Sequence, residues 1–451
     1  MNFKDEFYQK LKLLVLPIAI QNFMLALVSA TDAIMLGWID QTSLSAVSLA
    51  GQVQFVLSLF ISGIAAGAGI MAAQYWGKQD AASIEKVIPI ALRTNLLFSG
   101  LFTILAGFCP EMLMRIFTND AALVASGSQY LRAVALSYVL CGISQVYLIL
   151  LKNTGHAAVS SRISSTAVVL NIILNAILIY GLCGAPALGI RGAAYATVAA
   201  RVVELIWAYL ETKKPERVRI LWNRLFSSAG KILSEDFWRY TLPVLAASLV
   251  WGIAYVLYSV IMGHMGSDAV AANSITSIAK SLLSCLIRGV SGGAGVLIGN
   301  LLGANELEKA REYGGRLSHL SIAIGIVTGG LLMLISPAIV HFAPLSDTAA
   351  EYLQYMLLFC GLNLMAQSVN TTVLDGIFCA GGDAKFDMQG NIGAMWCFSV
   401  PLGFLAAFWL KLPVMVVYCI VNLDEIVKLP AVYHHYKKYI WVRNITRDVE
   451  D

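Results

Sequence analysis

The sequence predicts an all-α polytopic membrane protein, twelve transmembrane helices arranged as two six-helix lobes in parallel repeat, and three features support this. Of 451 residues, 58% are apolar and 13% charged, with a mean hydropathy of +0.73, against roughly 25% charged in soluble domains. A chain so poor in charge cannot cover its own surface with polar groups, so the missing solvent is lipid. Apolar stretches of spanning length recur along the whole chain, and its second half repeats its first at a fixed offset.

A helix crosses the hydrocarbon in about 20 apolar residues. Segments 13–38, 44–75, 87–109, 129–151, 163–183, 187–210, 240–263, 270–302, 315–342, 352–379, 388–410 and 412–432 meet that length. The first follows Lys4, Lys10 and Lys12, exceeds the apolar core of a signal peptide, and has no small-residue cleavage site, so it reads as a span. Connections are short except 211–239, which opens on Lys213, Lys214, Arg217 and Arg219. It then turns amphipathic around Leu221, Trp222, Leu225 and Phe226. That stretch is expected to be a cytoplasmic linker on the membrane surface. The expected organisation is an N-lobe over 1–210, the linker over 211–239, a C-lobe over 240–433 and a basic cytoplasmic tail over 434–451.

Lys and Arg set the orientation. With the N-terminus inside, only Arg115, Arg132, Arg191 and Lys411 of the 31 fall outside, and Arg201, Lys280 and Arg288 fall within spans. The others lie inside, which predicts cytoplasmic termini and an even number of spans. A shift of 226 positions carries Pro17 onto Pro243, Gly37 onto Gly263 and Gly63 onto Gly289. It also carries Gly67-Ala68-Gly69 onto Gly293-Ala294-Gly295. Six spans per half give both halves one orientation, a parallel repeat about an axis along the membrane normal.

Several functions are excluded or disfavoured. The eight cysteines stand singly in or beside apolar stretches and make no CxxC or Cys/His pattern. His434-His435 fall in the basic tail and read as solvated. No Gly-rich phosphate loop or nucleophile elbow is present, so the chain reads as neither an ATPase nor another enzyme. No basic block interleaves with aromatics, which argues against nucleic acid as a partner.

Ionisable groups inside spans are costly, and each needs a reason. Asp32 lies toward the outer end of the first span, and its repeat counterpart is Tyr258. A carboxylate there can carry a proton, or hold a monovalent cation where neutral oxygens help. Asn171, Asn175 and Thr197 supply such oxygens, with the two asparagines four apart on one helix face. From the residues alone, a cation site and a structural hydrogen-bond network between helices are equally open. The C-lobe places Lys280 and Arg288 in span 8, Asp375 in span 10, and Asp424-Glu425 in span 12, where Lys428 follows at i+4 and i+3. Depth favours Arg288 over Lys280 as the partner of Asp375. These charges read as a second polar cavity or as structural ion pairs. Arg201 and Glu204, three apart, read as a structural pair. Trp251, Tyr255 and Tyr258 form a stripe on span 7, suited to packing or to contact with an aromatic cation.

The Gly67-Ala68-Gly69, Gln74, Gly77-Lys78-Gln79-Asp80 run and its partner Gly293-Ala294-Gly295, Asn300, Gly303 resemble the multidrug and toxic compound extrusion (MATE) family. So do Pro17 with Thr31-Asp32-Ala33-Ile34-Met35, and the run from Leu170 through Asn171 and Asn175 to Gly192-Ala193-Ala194-Tyr195-Ala196-Thr197. The resemblance covers the whole chain and implies a V-shaped pair of lobes working by alternating access as a monomer. It implies export of amphipathic, often cationic small molecules from a bacterial inner membrane, driven by sodium or protons with no other cofactor. Under it, Asp32, Asn171, Asn175 and Thr197 become the cation-coupling group and Pro17 a conformational hinge, where the residues alone allow a static kink. The asparagine pair is similar to the NorM branch. That branch usually has a glutamate where Trp251 stands, so its C-lobe coupling site does not carry over. A lipid-linked oligosaccharide flippase of the same superfamily is the alternative function.

Overall fold

The computed structural model describes residues 6–220, 222–226, 230–343 and 345–447. Its helices are α1 (Glu6–Gly37), α2 (Gln41–Gly77), α3 (Ala81–Phe108), α4 (Pro110–Arg115), α5 (Ala121–Leu151), α6 (Ala157–Tyr180), α7 (Ile190–Thr212) and α8 (Lys231–Gly263). There follow α9 (Ser267–Gly303), α10 (Leu307–Phe342), α11 (Asp347–Thr371), α12 (Ala384–Asn391), α13 (Val400–Phe404), α14 (Val414–Val421) and α15 (Asp424–Tyr436). Wider π-turns extend α11 over Thr372–Phe378 and join α12 to α13 over Ile392–Ser399. Asp40 and Asp80 accept hydrogen bonds from the backbone of Ser43 and Ser83, at 2.6 and 3.0 Å, and so cap α2 and α3.

Among the described residues, ten runs are long and apolar enough to cross a membrane. One of them, 121–180, is α5 and α6 meeting at a break where Gly155 has φ +80°. The expected span 412–432 is divided between α14 and α15, whose first turn carries Asp424 and Glu425. Each of the twelve expected segments is thus helical, and the chain is an all-α multi-pass membrane protein.

Packing divides the chain into two units. One holds residues up to Asn22 together with Ala246–Asp448, and the other holds Phe23–Leu245. These units differ from the lobes expected at 1–210 and 240–433. The first part of α1 packs with the second half, and the first part of α8 packs with the first half. In both helices the change of unit comes within a turn or so of the repeat-matched proline, Pro17 or Pro243. A proline inside a helix withholds one backbone hydrogen bond and lets the axis bend there.

Glycines explain the exchange. A Cβ on Gly63 would lie 2.9 Å from the Leu245 Cα, and one on Gly67 would lie 2.7 Å from the Thr241 Cα. In the other unit, a Cβ on Gly289 would lie 3.0 Å from the Ala19 Cα, and one on Gly293 would lie 2.9 Å from Val15 Cγ2. These contacts map onto each other under the same shift of 226, because 245 pairs with 19 and 241 with 15. A small-xxx-small surface on α2 therefore seats the start of α8, and its copy on α9 seats the start of α1.

Of the linker expected over 211–239, the first two residues close α7 and the stretch from Lys231 opens α8. Among the described residues between them only Trp222–Arg224 form a short helical turn; Val218, Ile220 and Leu225 are buried, and Phe226 is exposed. Trp222 Nε1 donates to the Tyr147 hydroxyl at 2.8 Å, and Glu211 accepts from Lys214 and Arg217. Leu221 lies outside the described residues. The tail is also packed. Trp441 is fully buried, Arg443 donates to the carbonyls of Gly381 and Gly382 at 2.8 Å, and His435 stacks on Phe386 with ring centres 3.8 Å apart. His435, expected to be solvated, is half-buried with Nε2 2.6 Å from Asp383; His434 is exposed. An aromatic cluster of Tyr436, Tyr439 and Trp441 draws this segment in.

Filling a glycine seat should therefore destabilise the fold. Gly67→Val and Gly293→Val are each expected to cost about 1–3 kcal/mol or more by overpacking. A lowered thermal midpoint of the purified full-length protein checks this. Gly100→Val, where no atom lies within 4 Å of the added carbon, serves as the neutral control.

Candidate functional site

In the unit formed by 23–245, four polar residues expected to act together do come together. Asp32 on α1 accepts a hydrogen bond from Asn175 Nδ2 at 2.5 Å. The same Asn175 nitrogen lies 3.1 Å from Asn171 Oδ1, one turn earlier on α6. Asn171 Nδ2 reaches Thr197 Oγ1 on α7 at 3.3 Å, and Thr197 donates to the Ala193 carbonyl at 3.0 Å. A continuous polar chain thus links α1, α6 and α7. Asn175 is fully buried, yet its Oδ1 has no hydrogen-bond partner. A buried amide oxygen left open is costly unless something visits it. Asp32 itself is only half-buried. Nearby, the Tyr180 hydroxyl donates to the Met35 carbonyl at 2.7 Å and ties α6 to α1 just beyond the carboxylate. The sequence reading missed Tyr130 on α5, whose buried ring lies close enough to feel the Asp32 charge. A tyrosine in an apolar span looks like packing until the fold sets it beside an acid.

The second unit gathers its charges differently. Lys428 is buried, with Nζ 3.2 Å from Glu425 Oε1, 3.8 Å from Asp424 Oδ2 and 3.2 Å from Asn391 Oδ1. Asn391 Nδ2 donates to Asp387 Oδ1 at 3.2 Å, and Asn370 Nδ2 donates to Glu425 Oε2 at 2.8 Å. Asp387, Asn370 and Asn391 were not singled out from the sequence, because α12 and the end of α11 meet α15 only in the fold. Lys280 donates to Asn363 Oδ1 at 2.9 Å, and Asn363 donates to the Asn422 carbonyl at 2.6 Å.

Two expectations for this unit are refined. Asp375 makes no close ion pair with either cation, but of the two it is Arg288 whose charge reaches it, while Lys280 is held by Asn363. Asp375 stands in the π-turn after α11. The aromatic stripe also splits. Trp251 and Tyr255 stack with ring centres 5.5 Å apart and Tyr255 is exposed, but Tyr258 is buried in a core with Ala254, Ile261, Val417 and Val421. Tyr258 is a packing residue here. Arg201 and Glu204 do pair, at 2.8 and 3.0 Å, and Ser144 donates to Glu204 at 2.6 Å.

Against known proteins, the family model MatE matches residues 17–177 and 243–405, two copies whose starts are separated by the repeat offset. An uncharacterized transporter, YisQ of Bacillus subtilis, is 21% identical over 95% of this chain and 93% of that protein. A probable multidrug resistance protein NorM of Agrobacterium fabrum is 24% identical over 84% of this chain and 83% of that protein. A solved outward-facing multidrug resistance MATE family transporter of the MOP superfamily superposes with a TM-score of 0.87 at 19% identity, covering 97% of each chain. At that identity the superposition shows the fold.

Glu425 and Asp375 should respond differently to neutralisation. Glu425→Leu strands the buried Lys428 beside a weaker partner and is expected to cost about 3–5 kcal/mol. Asp375→Asn, at a position with no close ion pair, should lower the thermal midpoint by less than Glu425→Leu does. Differential scanning fluorimetry on the full-length protein checks both.

Proposed function

The chain belongs to the MatE family of multidrug efflux transporters, and from that premise we propose that it is a secondary antiporter. It exports amphipathic, often cationic small molecules in exchange for sodium or protons, working as a monomer in a bacterial inner membrane with both termini in the cytoplasm. The observation that carries the reading is the Asp32–Asn175–Asn171–Thr197 chain with its one open amide oxygen.

The arrangement suits a coupling site for physical reasons. With Asp32 ionised, Asn175 donates to it. A proton or a sodium ion arriving at the carboxylate competes with that donor, and the asparagine side chain can then turn an oxygen toward the incoming charge. Neutral oxygens from Asn171 and Thr197 stand one step behind. Loss of the Asp32–Asn175 bond releases α1 from α6. Because α1 carries Pro17 at the point where it changes packing unit, release at one end is transmitted as a bend rather than a rigid shift. Pro17 is the hinge in this reading. Trp251 and Tyr255, stacked and accessible, are the aromatic surface offered to a flat cationic substrate.

The flippase alternative has less support. The relatives named above are an uncharacterized transporter and a probable multidrug resistance protein, and the polar chain in the first unit is built on an acid, Asp32.

Transport by inside-out vesicles tests the proposal. Uptake of a fluorescent cationic dye should follow a sodium or a proton gradient, and Asp32→Asn should reduce it at least tenfold. Gradient-driven uptake that survives Asp32→Asn would move coupling elsewhere. No dye movement under either gradient would favour the flippase.

A further inference from the structure

We propose that Lys428 is a tethered cation, filling in the C-terminal repeat the kind of carboxylate-and-amide seat that the N-terminal repeat leaves open for a mobile ion. Only one of the two repeats then binds a coupling cation.

The contrast between the two seats carries the inference. Both combine carboxylates with asparagine amides on helices of one packing unit. Around Asp32 the partners are Asn175, Asn171 and Thr197, all neutral, and Asn175 Oδ1 is open. Around Glu425 the partners include an ammonium. Lys428 Nζ has oxygens of Glu425, Asn391 and Asp424 at 3.2, 3.2 and 3.8 Å, contributed by α12 and α15. An ammonium has the charge of a sodium ion: Lys428 donates to Glu425 and Asn391, and the Asp424 carboxylate at 3.8 Å adds a second counter-charge, so the site already holds one monovalent cation. Because it is attached to the chain, it is present at an effective concentration that free ions do not match. A mobile ion entering this seat would leave Lys428 buried without its counter-charges, which is unfavourable.

A second observation marks the place as a cation seat rather than a bare cluster of acids. Asn370 borders it through the bond from its Nδ2 to Glu425 Oε2, and its Oδ1 is buried with no partner. This oxygen is in excess of what one ammonium on a fixed stem uses. It becomes a ligand once the stem is removed.

The inference rests on the antiporter reading only in calling the ion a coupling ion. The test measures binding and not transport, so the two readings fail separately. Full-length protein carrying Asp32→Asn, which silences the first seat, is compared in sodium chloride and choline chloride at equal ionic strength. With Lys428 in place the thermal midpoint should be the same in both salts, and no radiolabelled sodium should bind. Lys428→Met should gain a sodium-dependent rise of roughly 3–6 °C and bind about one sodium per chain, while Lys428→Arg should gain neither. Sodium stabilising the Lys428-containing protein, or no gain in Lys428→Met, would overturn the proposal. Should Lys428→Met not yield folded protein, Lys428→Gln with Asp424→Asn, which removes one carboxylate along with the ammonium, is judged by the same two readouts.

Discussion

In lipid no hydrophobic force distinguishes one helix neighbour from another, so the distance to which two backbones can approach decides which helices pair. At Gly63 and Gly67 on α2, and at Gly289 and Gly293 on α9, there is no side chain to hold a neighbour away. The starts of α8 and α1 occupy those surfaces, at contacts identical under the repeat shift. Much of the architecture follows. Each packing unit is completed by the first turns of a helix whose remainder belongs to the other unit, and the crossing lies just past Pro17 or Pro243. The glycine pair and the proline therefore act together: the glycines fix where the start of the helix packs, and the proline permits its axis to change afterwards.

On that shared scaffold the two repeats have diverged in chemistry. The N-terminal repeat places one half-buried carboxylate against neutral amides and leaves an amide oxygen unsatisfied. The C-terminal repeat buries Asp387, Asp424 and Glu425 around Lys428 and satisfies most of them internally. Buried polar groups in a bilayer must find partners within the protein. The difference between the repeats lies in the cation: Lys428 stands among the C-terminal carboxylates, whereas the hydrogen-bond partners around Asp32 are neutral. Arg201, Glu204 and Ser144 show a buried pair with its bonds made.

Much of this was legible in the sequence, and the reasons are physical. Hydropathy reports lipid contact directly, so the twelve helical segments were found with their ends off by several residues. The repeat was visible because matched prolines and glycines are fixed by backbone geometry. The pairing of Asn171 and Asn175 with Asp32 was anticipated from helical spacing and from family resemblance. What failed were inferences that needed three dimensions. Depth-counting brought Arg288 and Asp375 within reach of each other's charge, but it could not show that they stop short of a close ion pair. Tyr258 shares a helical stripe with Tyr255, yet one faces a core and the other does not. Nothing in a linear reading says that Trp441 fills the space above Gly314 and Gly381 and turns a basic tail into a packed segment.

The central claim is that a symmetric scaffold holds a single open cation seat, at Asp32. It is tested most directly by counting cations on the purified wild-type chain, titrated with sodium and with acid in weakly buffered solution while bound sodium and exchanged protons are read together. The account predicts one site per chain, taking one sodium or one proton and absent from Asp32→Asn. Two sites per chain, or one that persists without Asp32, would contradict it.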